Sequence, residues 1–339
     1  MYERFFNLRE RPFDLTPNPR FLVMTERHRE ALSNLEYGIA SRKGITLLLG
    51  EAGCGKTTVI RAAIERQPSR VHCVHVTNPA LSRHEFVEAL ASQFGLSEAA
   101  QRSKTVMLRE LEQLLRERRD GDETTVLVID EAQSLPSDLL EEIRLLANIE
   151  TAEEKLISLI LAGQPELADH LDHVNLRQLK QRVALRCELR PLTEAETLAY
   201  LAGRLRAAGG VASRIFTREA AMMLHHRSGG IPRLINVLAD NALLAAFGKG
   251  QTQVTSQLIT EIAGDFHLGQ PAVAEAADTV PTPAPSSPPE PPPSTLLTRA
   301  EDPQPLAVAD TAPPATSSAL VETISTRRRF PFLGRRGTA

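Results

Sequence analysis

Tryptophan is absent from this chain, and aromatic residues of every kind make up only 4% of its 339 residues. A core must therefore be assembled from Leu, Ile, Val and Ala rather than from stacked rings. Cysteine is nearly as scarce. Cys54, Cys73 and Cys187 are odd in number and widely spaced. That argues against a disulfide framework and points to a reducing compartment. No apolar run approaches the length needed to cross a bilayer, and the strongest, LISLILAG and TVLVID, have the length of strands. The opening MYERFFNLRERPF carries charge throughout and does not read as a secretory leader. The expected location is cytoplasmic. Neither sign of charge dominates, with a net charge of -3. Nothing global therefore suggests a protein that coats nucleic acid, although net charge conceals local patches.

What is present divides the chain by composition. Most of the 23 prolines lie beyond Leu268, in PAVAEAADTVPTPAPSSPPEPPPS and the residues that follow. Such a segment cannot bury enough apolar surface to fold and favours extended conformations. Residues 267–326 are expected to form a disordered proline-rich linker, followed at 327–339 by RRRFPFLGRRGTA, where arginines interleave with Phe330, Phe332 and Leu333. Before it, short runs rich in branched residues predict strands at 45–50, 71–76, 124–129, 156–163 and 184–189. Helical patterns separate them, in GKTTVIRAAIERQ, LSRHEFVEALASQFG, TVMLRELEQLLRERRD and SDLLEEIRLLANIE. Strands alternating with helices predict an α/β fold with a parallel sheet covered on both faces. After Pro191 the strand signal stops and four helical patterns follow. Thr193 with Glu196 has the spacing of a capping box. The expected domains are an α/β unit at 1–190 and an all-helical unit at 191–266.

Chemistry concentrates in GEAGCGKTT. Gly50, Gly55, Lys56 and Thr57 satisfy the phosphate-loop spacing, after a predicted strand and before a predicted helix. Glycines let the backbone N–H groups of Glu51, Ala52, Gly53, Cys54 and Thr58 curl around phosphate oxygens at a helix N-terminus. Lys56 is expected to reach the β- and γ-phosphates, and Thr57 to ligate Mg²⁺. Cys54 reads as a small loop residue with no chemistry of its own. In VLVIDEAQ, Asp130 falls at a strand's C-terminal end, where it would hold Mg²⁺ through a water, and Glu131 would activate the attacking water. ATP is preferred to GTP because no guanine-reading N-K-x-D stretch exists. Gln164 ends the fourth strand, where it would sense the γ-phosphate. Arg233, in GGIPR, falls in the first turn of a helix, a position that disfavours a cation unless an anion lies opposite.

The blocks MYERFFNLRERPFDLTPNPRFL, HREALSNLEYGIASRKGITLLLGEAGCGKTT, VLVIDEAQSLPSDLLEEIRLLANIET, EEKLISLILAGQPEL, LRQLKQRV and SGGIPRLIN resemble, in order and spacing, the AAA+ ATPases of the general secretion pathway protein A type. Relatives are encoded near exosortase and exopolysaccharide loci. The resemblance covers residues 1 to about 266. It implies a P-loop AAA+ three-layer sandwich with a C-terminal helical lid. It places Gly50 to Thr58 in the Walker A loop, with Cys54 where Thr is more usual. It places Asp130 and Glu131 in Walker B, Gln164 at sensor 1 and Arg233 at sensor 2. Arg177 and Arg182, with Arg186 as a third candidate, fall where an arginine finger would reach a neighbouring subunit's nucleotide, which implies a homo-oligomer. The stretch around Leu22 and His28 resembles the segment lining the adenine pocket; His28 reads equally as an ordinary helix-start histidine.

Longer members of this type carry a transmembrane helix and a peptidoglycan-binding domain after the ATPase, and neither is recognisable in this sequence. The expectation is a soluble or peripheral ATP- and Mg²⁺-dependent switch serving a secretion or exopolysaccharide-export machinery, in the cytoplasm or at the inner face of the cytoplasmic membrane. The Arg/Phe end suits an anionic membrane surface, a protein partner, nucleic acid or simple solvation. Two other functions compete. One is a DNA-associated regulator similar to transposition-helper ATPases, with lid arginines on phosphates. The other is an ATP-gated scaffold, which an intact Glu131 disfavours. In HCVH, at 72–75, strand alternation puts Cys73 and His75 on one face and His72 on the other, which argues against a metal site.

Overall fold

A computed structural model describes residues 1–15, 21, 23–76 and 81–267. The proline-rich linker expected beyond His267, the Arg/Phe segment at 327–339 and Leu22 lie outside the described residues.

Along the chain the elements are α1 (Tyr2–Phe5), α2 (Glu26–Ala40), β1 (Ile45–Gly50), α3 (Lys56–Glu65), β2 (Val71–Val76), α4 (Arg83–Gln93), α5 (Glu98–Arg102), α6 (Lys104–Asp120) and β3 (Thr124–Ile129). There follow α7 (Ser137–Leu146), β4 (Ile157–Gly163), α8 (Glu166–Leu171), α9 (Arg177–Lys180) and β5 (Val183–Leu189). Five more helices close the described chain: α10 (Glu194–Ala207), α11 (Ala212–Ile215), α12 (Arg218–Ser228), α13 (Pro232–Gly248) and α14 (Ser256–Asp265).

The five strands form one parallel sheet in the order β2-β3-β4-β1-β5. Every residue of β1 and β4 is buried, as parallel strands covered on both faces require. The pleat divides their side chains between two cores. Leu47, Leu49, Leu127, Ile129, Leu159 and Leu161 pack with Phe86 and Leu90 of α4, Leu111 of α6 and Ile143 of α7. Leu48, Val126, Val128, Ile160 and Ala162 pack with Leu35 and Ile39 of α2 and Ile60 of α3. This is the expected α/β layering. In β2, His72 Nε2 lies 2.7 Å from Glu123 Oε2, while Cys73 packs toward the second core.

One consequence of the order matters for function. Strand β4 sits between β1 and β3, with Leu47 level with Leu161 and Leu159 level with Leu127. The loops after β1, β3 and β4 therefore emerge side by side at the strands' C-terminal ends, where ligands of open α/β sheets bind.

The helical layer has its own core, in which Leu201, Leu205, Leu224, Leu238, Leu243 and Ile259 are buried. Helix α10 starts in a complete capping box between Thr193 and Glu196. A boundary at residue 190 does not describe this core. Tyr2, Phe6, Leu8, Phe13 and Phe21, from the start of the chain, pack into the helical core and not against the sheet. The sheet faces are already filled by their own helices, whereas the helical layer offers rings to meet: Phe13 lies edge-to-face with Phe216 at 6.3 Å, and Phe5 with Phe247 at 5.5 Å. The described residues form one compact body.

Candidate functional site

The loop between β1 and α3 is shaped by its glycines. Gly53 and Gly55 have φ of 85° and 98°, in the left-handed region that costs glycine least. Gly53 also has a packing reason to lack a side chain, since a Cβ there would lie 2.6 Å from Arg233 Cβ. The backbones meet as well: Arg233 N–H donates to Gly53 O at 3.2 Å. The loop is thereby joined to the first turn of α13.

Lys56 is buried and its ammonium donates to the Gly50 and Glu51 carbonyls at 2.7 and 3.2 Å. The Thr57 hydroxyl donates to Asp130 Oδ2 at 2.6 Å. Glu131 follows in the left-handed region, at φ 56° and ψ 36°, with its backbone N–H donating to Asp130 Oδ1 at 3.0 Å. Burial pushes the Cys54 thiol up to about 11, so it is protonated and unreactive near neutral pH.

These groups border a cavity of about 360 Å³ between the sheet and the helical layer. Gly53, Cys54, Gly55, Lys56, Thr57 and Thr58 line it, with Glu131 at the end of β3 and Arg233 packed against Gly53. Asp130 is reached through Thr57. Ala52 is exposed on the outer bend of the loop. Gln164 is not among the lining residues; its backbone N–H donates to Gln133 Oε1 at 3.0 Å. Arg177, Arg182 and Arg186 are also absent from the lining. Arg177 and Arg186 are exposed, and Arg182 is half-buried.

His28 also lines the cavity, beside Cys54 and Gly55 of the loop. Its ring nitrogens lie 3.2 Å from the Cys54 carbonyl and 2.6 Å from Thr25 Oγ1. A carbonyl only accepts, so Nε2–H is the donor there and Nδ1 accepts from the threonine hydroxyl. Burial lowers the pKa of His28, which favours this neutral form.

The motif reading missed several residues of this wall. Asp14, Phe21 and Val23 come from the N-terminal segment, Tyr200 and Arg204 from α10, and Asn236 from α13. Arg204 is buried and hydrogen-bonded through Nε and both terminal nitrogens. It donates to the Pro12 and Asp14 carbonyls at 2.5 and 3.4 Å and to the Tyr200 hydroxyl at 2.7 Å. Tyr200 in turn donates to Asn236 Oδ1 at 3.0 Å. The guanidinium also lies 5.2 Å from the centre of the Phe21 ring. The spacing of Tyr200 and Arg204, one turn apart on α10, was the available signal; the Pro12 and Asp14 partners of Arg204, nearly two hundred positions away, were not.

The donor chemistry fits a magnesium nucleotide. A threonine hydroxyl and a carboxylate are hard oxygen ligands suited to Mg²⁺. The first turn of α3 offers backbone N–H groups and positive potential to phosphate oxygens. Among the described residues, no helix is long and apolar enough to cross a membrane.

Comparison with known proteins agrees with the geometry. Residues 39–171 match the model of an AAA domain. General secretion pathway protein A of Aeromonas hydrophila is 41% identical over 278 residues, which is 82% of this chain; the chain spans 49% of that relative's length. The ATP-dependent target DNA activator B of Escherichia phage Mu is 26% identical over 74% of this chain and 75% of its own. Among solved structures, the Aeropyrum pernix ORC2 protein superposes with a TM-score of 0.58 at 16% identity, over 76% of this chain and 71% of its own. That last likeness concerns fold alone. The chain thus has the P-loop AAA+ fold, carries an AAA domain match at residues 39–171 and resembles general secretion pathway protein A over most of its length.

Proposed function

We propose that this protein is a Mg²⁺-dependent ATPase that acts as a switch in a bacterial secretion or exopolysaccharide-export system. The observation that carries the reading is the convergence of Lys56, Thr57, Glu131 and Arg233 on one cavity at the N-terminus of α3. In this reading the loop amides and Lys56 bind the phosphates. Thr57 and Asp130 hold Mg²⁺, which when bound supplies charge neutralisation on the phosphate oxygens. Glu131 accepts a proton from the attacking water. Arg233, on the first turn of α13 against Gly53, couples the helical layer, read as a lid, to the γ-phosphate. Gln164 senses the same group from the end of β4. Arg177 or Arg182, outside the cavity, completes a neighbouring subunit's site in a homo-oligomer. The resemblance to general secretion pathway protein A supports secretion partners and a position at the inner face of the cytoplasmic membrane.

The test is the Glu131→Gln variant. MgATP binding should be retained while turnover falls at least about a hundredfold, as removal of a general base predicts; undiminished turnover would remove Glu131 from the role. A second reading, a DNA-associated regulator, is favoured by the likeness to the phage DNA activator. ATP-dependent DNA binding at physiological salt, weakened by added salt, would favour it over export.

A further inference from the structure

We propose that Gln133 is a positioning residue for hydrolysis, which fixes the Glu131 carboxylate and ties it to the end of β4. The inference rests on the reading of Glu131 as the water-activating acid and adds a residue to that site.

The geometry begins at the exit of β3. Glu131 adopts the left-handed backbone, an uncommon conformation for a residue with a side chain. One turn of 3-10 helix follows at Ala132–Ser134 and brings Gln133 back over the strand ends. Its side-chain amide makes two bonds there. The Gln164 N–H donates to Oε1 at 3.0 Å, and Nε2 donates to Glu131 Oε2 at 2.7 Å. A backbone N–H can only donate and a carboxylate can only accept, so both partners demand the same orientation of the amide. Space for it is provided at Gly163, where a Cβ would lie 3.0 Å from Gln133 Oε1 and 2.7 Å from Leu167 Cδ2.

Two consequences follow. Donation to Oε2 fixes the direction of the carboxylate and leaves Oε1 outside this bond. The same amide accepts from the backbone of Gln164, so a shift at the end of β4 is transmitted to the Glu131 carboxylate through one side chain. Gln133 touches neither nucleotide nor water in this account. It acts through Glu131.

Three variants of the full chain separate the two bonds. Gln133→Met has similar length and makes neither. Gln133→Glu keeps an acceptor for the Gln164 N–H but sets a negative charge against Glu131. Glu131→Gln serves as reference. In nucleotide-free protein, hydrogen exchange at the Gln164 amide should quicken in Gln133→Met and stay slow in Gln133→Glu. MgATP affinity should change less than about threefold in both, because neither touches the phosphate loop. In both Gln133→Met and Gln133→Glu, kcat should fall by about tenfold or more, because neither leaves an amide donor for the Glu131 carboxylate. Turnover within twofold of the parent in both variants, with Glu131→Gln inactive, overturns the role of Gln133 alone. Loss of MgATP affinity together with kcat overturns it also, since Gln133 would then shape the loop. Full activity in Glu131→Gln removes the reading of Glu131 and this inference with it.

Discussion

Lys56, Thr57, Asp130 and Glu131 each have a partner that fixes their direction. Thr57 is aimed at Asp130 by its hydroxyl bond, so Thr57→Ala removes the proposed magnesium ligand and also the orientation of the carboxylate beside it. Turnover at saturating MgATP is expected to fall by about two orders of magnitude, checked by steady-state kinetics across a magnesium titration. His28 carries a pH signature. Its folded-state pKa lies below the ordinary histidine value because of burial, so the unfolded chain takes up this proton first as the pH falls. The stability it contributes is complete above about pH 6.5 and is lost as the pH drops from there toward the folded-state value. His28→Gln should make the fall in Tm between about pH 7 and pH 5.5 shallower than in the parent; parallel curves from thermal melts would contradict this. At this scale the sequence was legible where chemistry is contiguous. Lys56, Thr57, Asp130 and Glu131 each sit inside a short motif. Gln133 and Arg204 were not legible, because what they do depends on partners 31 and 192 positions away.

Elements differ in how much of their stability is local. Helix α10 depends on its capping box, and it carries Tyr200 and Arg204 into the cavity wall. Thr193→Ala is expected to cost about 1 kcal/mol in chemical denaturation, with a small loss of nucleotide affinity as α10 frays. The N-terminal segment depends on distant packing instead. Phe13 is 1% exposed among the helices, and Phe13→Ala should cost about 3–5 kcal/mol in the same measurement, a cost typical of an emptied aromatic site. The central strands β1, β3 and β4 could be read in advance as largely apolar runs, and the partly exposed edge strands β2 and β5 by their branched residues. Helices α1, α5, α9 and α11 have only 4 or 5 residues, too few for a 3.6-residue period to register. Helix α2 has readable signals, with Thr25 as its cap and Ala31, Leu32, Leu35 and Ile39 at helical spacing, yet lay outside the eight helices expected.

At the scale of the whole molecule, the order of strands was beyond sequence reading. Which strand lies between β1 and β3 is decided by how the crossovers pack, not by any one strand's composition. Assembly is testable at the same scale. If Arg177 or Arg182 serves a neighbour, an arginine-to-alanine variant and Glu131→Gln, each inactive alone, should recover activity when mixed. Sites with intact Glu131 would then receive an arginine from the other subunit, and about a quarter of interfaces are complete after random mixing of equal amounts. No recovery with either arginine would place both outside the site. The helical core, finally, joins residues far apart in the chain: the Tyr2 hydroxyl bonds to Asp240, 238 positions later. A ribosome releases the early partner long before the late one exists, so the segment around Tyr2 must stay unpaired throughout most of synthesis. Closure of the helical layer consequently waits until its last helices have been made, and the nascent chain presents an aromatic strip in the interval.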